Sequence, residues 1–166
     1  YMSPDVAKGI ADGSISAELG GKRANGTVLF CDIVGFTGMA EEIDATDLMD
    51  TLNRYFKITT DIIARNNGTL NKFGGDMIMA FWNVMFPDKA PELHAVTTAL
   101  QMQASVWYFD LDLRHEKHPP IHMGVGINSG TFAAGNVGGE RIEYTVIGDA
   151  VNLGQRIESL AGRWQV

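Results

Sequence analysis

Two aspartates stand inside otherwise apolar segments, Asp32 in FCDIVGFT and Asp76 in KFGGDMIMAF. A carboxylate at a buried site is costly unless something compensates its charge. One interpretation is that each side chain caps or braces a neighbouring turn, as aspartates commonly do. The other is that the two lie side by side at the ends of adjacent strands and together bind divalent cations, because Mg²⁺ prefers one or two carboxylates plus substrate phosphates.

A glycine-containing turn follows the first aspartate and enters a helical region through Gly35, Phe36 and Thr37. Such a turn before a helix exposes several backbone amides that can cradle phosphate. The residue order differs from that of a Walker loop, which is G-x-x-x-x-G-K-[ST]. Beside two carboxylates that could bind metal, the turn indicates a nucleoside triphosphate as the ligand.

Three further polar side chains stand at informative spacings. Lys72 lies four residues before Asp76, while Asn152 and Arg156 lie four apart on the last predicted helix and share one face. Taken singly, each has an ordinary interpretation as a solvated side chain. The core-facing stripe of the same helix is predicted to consist of Leu153, Ile157 and Leu160.

The order of predicted elements is strand, helix, hairpin, helix, hairpin, strand, helix. This order predicts an α+β fold with a ferredoxin-like β-α-β-β-α-β core. We expect a mainly antiparallel sheet with the helices packed on one face. The predicted elements are strand 27–34, helix 45–66, hairpin 71–81, helix 91–113, strands 121–128 and 131–137 with a turn at Ser129 and Gly130, strand 143–147 and helix 148–162.

The bulk composition restricts the class of protein. With 166 residues, of which 45% are hydrophobic, the chain has enough apolar material for one domain with a real core. A formal net charge of −7 and a pI near 4.9 argue against binding nucleic acid by bulk charge. The single cysteine, Cys31, excludes an internal disulfide and a cysteine-rich zinc site.

The N-terminal region is predicted to be separate from the domain. Residues 3–10 favour a short helix, and residues 11–26, rich in Gly, Ser and Ala, favour a linker from an upstream module. The domain itself is expected over residues 27–166. No run is apolar enough to span a bilayer and no secretory signal opens the chain, so the expected location is the cytoplasm. A membrane anchor elsewhere in the parent protein is left open.

Several motifs together resemble one family. The segments FCDIVGFT, KFGGDMIMAF, GVGINSG, AAGNVG and EYTVIGDAVNLGQRIE are similar, in order and spacing, to those of the class III adenylyl and guanylyl cyclases. The resemblance runs from about Val28 to Leu160, nearly the whole chain. It implies an adenylyl cyclase that converts ATP to 3′,5′-cyclic AMP and pyrophosphate by a two-metal mechanism.

The resemblance implies roles for the residues around the first strand. Asp32 and Asp76 match the metal-binding aspartates of the family, and the carbonyl of Ile33 matches a third ligand. The implied cofactors are two Mg²⁺ or Mn²⁺ ions. The amides near Phe36 and Thr37 match the family's phosphate cradle.

The resemblance also implies how substrate is recognised. Lys72 matches the residue that reads the base, a lysine in adenylyl cyclases and usually a glutamate in guanylyl cyclases. Thr145 matches the second base-reading position, and its hydroxyl can accept a hydrogen bond from the adenine N6 amine. Asn152 and Arg156 match the pair that orients the ribose and stabilises charge on the phosphorus.

The partners implied by the resemblance are ATP, a second copy of the chain and a sensor. In the family, one subunit holds the metals and the other supplies the base reader, the Asn and the Arg, so we expect a homodimer with shared sites. YMSPDVAKG followed by GGKR is similar to the segment that joins such domains to upstream sensor modules in bacterial proteins. Family members continue into strands that supply a lysine to the triphosphate. We therefore expect the domain to be C-terminally truncated at Val166, which leaves the activity and dimerisation of the fragment open.

Three alternatives are weighed against this interpretation. A guanylyl cyclase and a catalytically silent cyclase-like module that dimerises and relays a signal would share the fold. A diguanylate cyclase is disfavoured, because Met77 and Ile78 follow FGGD where that family has the Glu–Phe half of GGDEF. Two positions do not fit the pattern: Thr131 stands where mammalian cyclases carry a phosphate-binding arginine, and Arg141 has no assigned role.

Overall fold

The computed structural model describes residues 20–139 and 142–166. Within these ranges the chain forms five strands and four helices. None of the helices in these ranges is both long and apolar enough to cross a lipid bilayer. The elements are β1 (Gly20–Ile33), α1 (Phe36–Glu42), α2 (Ala45–Arg65), β2 (Thr69–Gly74), β3 (Met77–Trp82), α3 (Pro91–His115), β4 (Met123–Gly138), β5 (Ile142–Ile147) and α4 (Asp149–Leu160).

The five strands form one sheet in the order β2-β3-β1-β4-β5, and every neighbouring pair is antiparallel. The first four strands, with α2 and α3 as connections, make a β-α-β-β-α-β unit in which β1 lies between β3 and β4. The α+β class and the ferredoxin-like core are therefore confirmed. Because β1 is central, its C-terminal end with Asp32 lies in the middle of one edge of the sheet.

Strands β1 and β4 are longer than predicted, and all of β1 pairs with residues 123–136 of β4. Residues 20–26, predicted as the end of a linker, are the first half of β1. The turn predicted at Ser129 and Gly130 is wrong, because both residues continue the ladder and the Ser129 hydroxyl lies 2.8 Å from that of Thr27. A Ser–Gly pair can stay in a strand where the partner strand continues beside it. The short helix predicted over 3–10 lies outside the described residues.

Helices α2 and α3 of the ferredoxin-like core pack on one face of the sheet, as expected, and the additional helix α4 covers the other face. Alternate residues of β1 point to opposite sides. Leu29 and Cys31 belong to the core beneath α2 and α3, whereas Val28 and Phe30 contact α4. Asp32 continues the alternation of Val28 and Phe30, so its side chain lies on the α4 side. The larger core, on the α2 and α3 side, includes Tyr55, Ile63, Met102, Val106 and Leu113.

Helix α4 lies very close to the sheet. A Cβ atom added at Gly126 of β4 would fall 2.2 Å from the backbone nitrogen of Glu158. One added at Gly154 of α4 would fall 2.9 Å from a methyl group of Val28. Only glycine leaves room for this approach of helix backbone to strand. The contact fixes the height of α4 above the end of β1.

The buried face of α4 differs from the predicted one. Leu153 is 48% exposed and Leu160 is 85% exposed, so the leucine stripe does not face the core. The physical reason is the close approach described above, which suits small residues better than leucine. The residues of α4 that are buried are Val151, Gly154 and Glu158.

Candidate active site

The two aspartates meet where β1 and β3 run side by side. The antiparallel register pairs Cys31 with Ile78, so Asp32 and Ile33 lie next to the start of β3. The amide of Ile33 donates a hydrogen bond to Oδ2 of Asp76 at 2.9 Å. The structure therefore brings Asp32, Ile33 and Asp76 together, and their binding of a metal stays a prediction.

Acidic groups crowd this edge of the sheet. Burial raises the pKa of Asp76, and the charge of Asp32 adds to the rise, while hydrogen bonds from the Ile33 amide and from its own backbone oppose it. Glu158 of α4 is only 5% exposed. Burial, a hydrogen bond with Asp32 and the charges of Asp32 and Asp76 raise the pKa of Glu158 to about 8. Such a concentration of carboxyl groups favours a bound cation.

Glu158 lies beside the two aspartates although its place in the sequence does not predict it. The helical pattern around it suggested a core stripe of leucines, which left Glu158 as a surface residue. Its spacing of four from Gly154 was an available signal, since a glycine on a helix marks a face that can approach another backbone closely. Knowledge that this face contacts Gly126 would also have been needed.

The donor set fits a hard divalent cation. The carboxylates of Asp32 and Asp76 and the carbonyl of Ile33 offer oxygen atoms, which Mg²⁺ and Mn²⁺ prefer as ligands. Across residues 20–139 and 142–166, no three His, Cys, Asp or Glu side chains form a metal site of their own. A cation bound by two carboxylates would complete its coordination with water and substrate phosphate, as Mg²⁺ commonly does.

The predicted phosphate cradle lies directly after β1. Gly35 has φ of 78° and caps α1 in the left-handed region, a conformation that glycine adopts without strain. Phe36 packs against the larger core, whereas Thr37 is exposed. The first amides of a helix lack partners within the helix, and the binding of phosphate by those of Phe36 and Thr37 stays a prediction. This turn begins two residues after Ile33.

Contacts between β2 and β5 bring the two predicted base-reading residues, Lys72 and Thr145, close to each other. Nζ of Lys72 on β2 lies 3.2 Å from Oε1 of Glu143 on β5. The Thr145 hydroxyl donates to Oδ1 of Asn71 at 3.2 Å, and Nδ2 of Asn71 donates to the carbonyl of Tyr144 at 2.7 Å. Neighbouring side chains on β2 thus contact neighbouring residues on β5.

A β-bulge turns Asn71 towards β5. The register of β2 on β3 shifts between Leu70 and Lys72, which leaves Asn71 as the extra residue. Strands β2 and β5 stand at opposite ends of the strand order, so the sheet must curl for them to touch. Neither Asn71 nor Glu143 stands out in the sequence, because no local pattern reveals a contact such as that of Asn71 with Tyr144, 73 positions away.

Asn152 and Arg156 are not brought to the aspartates within one chain. Both side chains are exposed on α4. At about 100° per residue, Arg156 points roughly opposite to Glu158, the residue that reaches Asp32. The chain therefore displays the predicted catalytic pair on its surface, on the face of α4 that is turned away from the carboxylates. Arg141 lies outside the described residues.

Comparisons with known proteins agree with one another. The sequence profile of the family described as "Adenylate and Guanylate cyclase catalytic domain" matches residues 21–166. A curated relative named Adenylate cyclase 1, from Rhizobium meliloti (strain 1021), is 33% identical over 159 residues, which are 93% of this chain and 23% of the relative. The chain thus spans about a quarter of the length of that protein.

Two solved structures share the fold closely. The adenylyl cyclase CyaB from P. aeruginosa is 34% identical with a TM-score of 0.85, over 88% of this chain and 76% of that one. The guanylyl cyclase Cya2 is also 34% identical with a TM-score of 0.83, over 87% of this chain and 74% of that one. The chain is therefore equally similar in sequence to a protein named for each nucleotide.

Proposed function

Because the chain belongs to the adenylate and guanylate cyclase catalytic domain family, we propose that it converts ATP to 3′,5′-cyclic AMP and pyrophosphate. The observation that carries this chemistry is the meeting of Asp32 and Asp76, joined through the Ile33 amide at 2.9 Å from Asp76. Two carboxylates at one edge of the sheet lie next to the start of a helix. A cation and a phosphate chain can therefore bind side by side there.

In the proposed reaction, Asp32, Asp76 and the carbonyl of Ile33 would hold two Mg²⁺ or Mn²⁺ ions. When bound, the ions lower the pKa of the ribose 3′-hydroxyl and neutralise charge on the departing pyrophosphate. The turn at Gly35 holds the triphosphate by donating hydrogen bonds from the amides of Phe36 and Thr37. These donors stay fixed because the turn follows directly from the central strand.

The proposed preference for ATP rests on Lys72 and Thr145. A lysine can only donate, which suits N1 of adenine, an acceptor, and not N1 of guanine, a donor. The ion pair with Glu143, at 3.2 Å, supports this role because it holds the Lys72 ammonium close to β5. Thr145 also lines a cavity of about 220 Å³ between β1, β4 and β5.

We propose that the active enzyme is a homodimer in which each site uses both chains. Asn152 and Arg156 are exposed and turned away from the carboxylates, so a second copy would have to supply them to a given metal pair. Exposed apolar side chains on α4 and on β4 and β5, the strands that it contacts, support a covered interface. Those exposed by 46% or more include Val137, Ile142, Ile147, Leu153 and Leu160.

The remaining length of the relatives supports a larger parent protein. Since the chain spans 23% of Adenylate cyclase 1, we propose an upstream sensor in the same polypeptide and a cytoplasmic catalytic domain, where ATP is supplied. A second candidate function is guanylyl cyclase, favoured by the 34% identity to Cya2.

The test is to incubate the chain, and the parent protein, with ATP or GTP and Mn²⁺ and to separate the products. Cyclic AMP formed in preference to cyclic GMP is the expected result. Preferential formation of cyclic GMP would identify the chain as a guanylyl cyclase instead. A dimer that forms neither product, in the parent protein as well as in this chain, would identify a silent signalling module.

A further inference from the structure

A buried amide beside Thr145 fixes the direction of hydrogen bonds at the proposed base site. Asn71 is 8% exposed and Thr145 is 9% exposed. Nδ2 of Asn71 donates to the carbonyl of Tyr144 at 2.7 Å. A carbonyl oxygen accepts only, so the amide end of Asn71 must face Tyr144, and its oxygen Oδ1 must face Thr145.

The orientation of Asn71 dictates what the Thr145 hydroxyl can do. Oδ1 carries lone pairs and no proton, so Thr145 must donate its single hydroxyl proton to it, across 3.2 Å. The remaining capacity of the hydroxyl is two lone pairs. Thr145 can therefore act towards a ligand as an acceptor, and it acts as a donor only if it breaks the bond to Asn71.

We propose that Asn71 is a positioning residue for nucleotide specificity, which makes Thr145 an acceptor and so selects a purine with an amine at C6. Adenine places an N6 amine there, whereas guanine places the O6 carbonyl. Two acceptors facing each other leave a buried polar group without a partner, and such mismatches discriminate strongly. The inference rests on the proposed function and deepens it.

The position of Asn71 fits this role better than a role in sheet stability alone. It is the extra residue of a bulge in β2, directly before Lys72, so one short segment supplies the lysine and orients the hydroxyl. Bulges commonly redirect a side chain at functional sites. Lys72 then presents a hydrogen-bond donor to the base, and Thr145 presents an acceptor.

The first experiment compares kcat/KM for ATP and GTP in the wild-type chain and in Asn71→Ala. Loss of the acceptor frees the Thr145 hydroxyl to rotate and donate to O6, so the ATP/GTP ratio is expected to fall about tenfold. Asn71→Gln, which keeps both an acceptor for Thr145 and a donor for the Tyr144 carbonyl, is expected to retain more of the preference than Asn71→Ala. Asn71→Ser, whose shorter side chain ends farther from Thr145, replaces Asn71→Ala if that variant does not fold.

A double-mutant cycle separates an effect through Thr145 from a general disturbance of β2. Thr145→Val removes the hydroxyl, and in that background Asn71→Ala is expected to leave the ATP/GTP ratio unchanged. A ratio that falls equally in both backgrounds would mean that Asn71 acts through the backbone. A ratio that stays at the wild-type value in Asn71→Ala would also overturn the inference.

Equilibrium binding of ATP and GTP with Ca²⁺ measures the same ratio without turnover. If the wild-type chain binds ATP in preference to GTP but forms no cyclic nucleotide, the proposed function fails while the inference is still tested by the Asn71 variants. Binding of GTP as tight as that of ATP in the wild-type chain would contradict the inference directly.

Discussion

The carboxylate of Asp76 serves two purposes that can be separated by one substitution. Its Oδ2 atom accepts from the Ile33 amide at 2.9 Å, and its charge is available to a cation. Asp76→Asn keeps an oxygen acceptor for that amide and removes the charge. We expect cyclase activity with Mn²⁺ to fall about a hundredfold or more, because a metal ligand is lost.

The same variant should be at least as stable as the wild-type chain without metal. Burial and the charge of Asp32 raise the pKa of Asp76, which means that the charged form is disfavoured in the folded state. Replacing it by a neutral amide removes that cost. Thermal unfolding in EDTA checks this: a clear drop in melting temperature would show that Asp76 braces the fold, as the alternative interpretation of the sequence held.

At the level of single residues, the sequence revealed those whose type conflicts with their surroundings. Asp32 and Asp76 could be found because a carboxylate in an apolar segment is unusual in itself. Glu158 and Asn71 could not, because a glutamate on a helix and an asparagine near a turn are ordinary. Their significance lies in contacts with residues far away in the chain, such as Tyr144.

At the scale of elements, the close contact between α4 and the sheet explains where the candidate catalytic pair stands. Gly126 permits this contact, since a Cβ there would lie 2.2 Å from the Glu158 nitrogen and 2.5 Å from the Gly154 carbonyl oxygen. We expect Gly126→Ala to lower stability by about 3 kcal/mol through overpacking. For a chain of this size that corresponds to a melting temperature about 6–12 °C lower.

Gly38 supplies a matched control for that substitution. It lies inside α1, and a Cβ added there would meet no atom within 4 Å. Gly38→Ala is therefore expected to raise stability by about 0.5–1 kcal/mol through helix propensity. Equal losses in both variants, measured by urea unfolding, would contradict the steric account of α4.

The start of α3 should give the chain a defined dependence on pH. Asp88 accepts from the Ala90 amide at 2.9 Å and from Nδ1 of His94 at 2.7 Å. Burial raises the pKa of Asp88, but the hydrogen bonds from His94 and from the amides of Ala90 and Lys89 outweigh it, so that the net pKa is lowered. A carboxyl with a lowered pKa stabilises the fold above its unfolded pKa, and this stabilisation is lost as pH falls through the folded value.

Asp88→Asn tests this assignment. At pH 7 we expect the variant to be less stable by about 1–3 kcal/mol, since a charged acceptor is lost. The difference from the wild-type chain should shrink below about pH 4, because both side chains are then neutral. Urea unfolding at several pH values measures it, and a difference that grows below about pH 4 would refute the sign.

Element by element, the helices were easier to predict than the strands. The apolar spacing and cap residues of 45–66 and 91–113 are local signals, and α2 and α3 agree with them. The continuity of β4 is not local, since Ser129 and Gly130 stay in the strand only because β1 runs beside them. The position of α4 is not a local feature either, since nothing within this helix indicates that it covers the face opposite to α2 and α3.

At the scale of the whole molecule, one chain carries both the predicted metal ligands and the predicted catalytic pair, but it places the two sets on different parts of its surface. Asp32 and Asp76 lie at one edge of the sheet beneath Glu158, while Asn152 and Arg156 are exposed on the far face of α4. This division accounts for the proposed homodimer without any additional domain. It also makes the assembly testable with chains that are inactive by themselves.

Mixing Asp32→Ala with Arg156→Ala chains should restore activity. In a mixed dimer one site combines the intact aspartates of the second chain with the intact arginine of the first, while the other site has neither. Random pairing makes about half of the dimers mixed, each with one working site, so about a quarter of wild-type activity is expected. Asp32→Ala mixed with Asp76→Ala is the control, because both lesions then lie in the same set and every site stays broken. Equal activity in the two mixtures, with mixed dimers verified by differently tagged chains, would mean that each chain works alone.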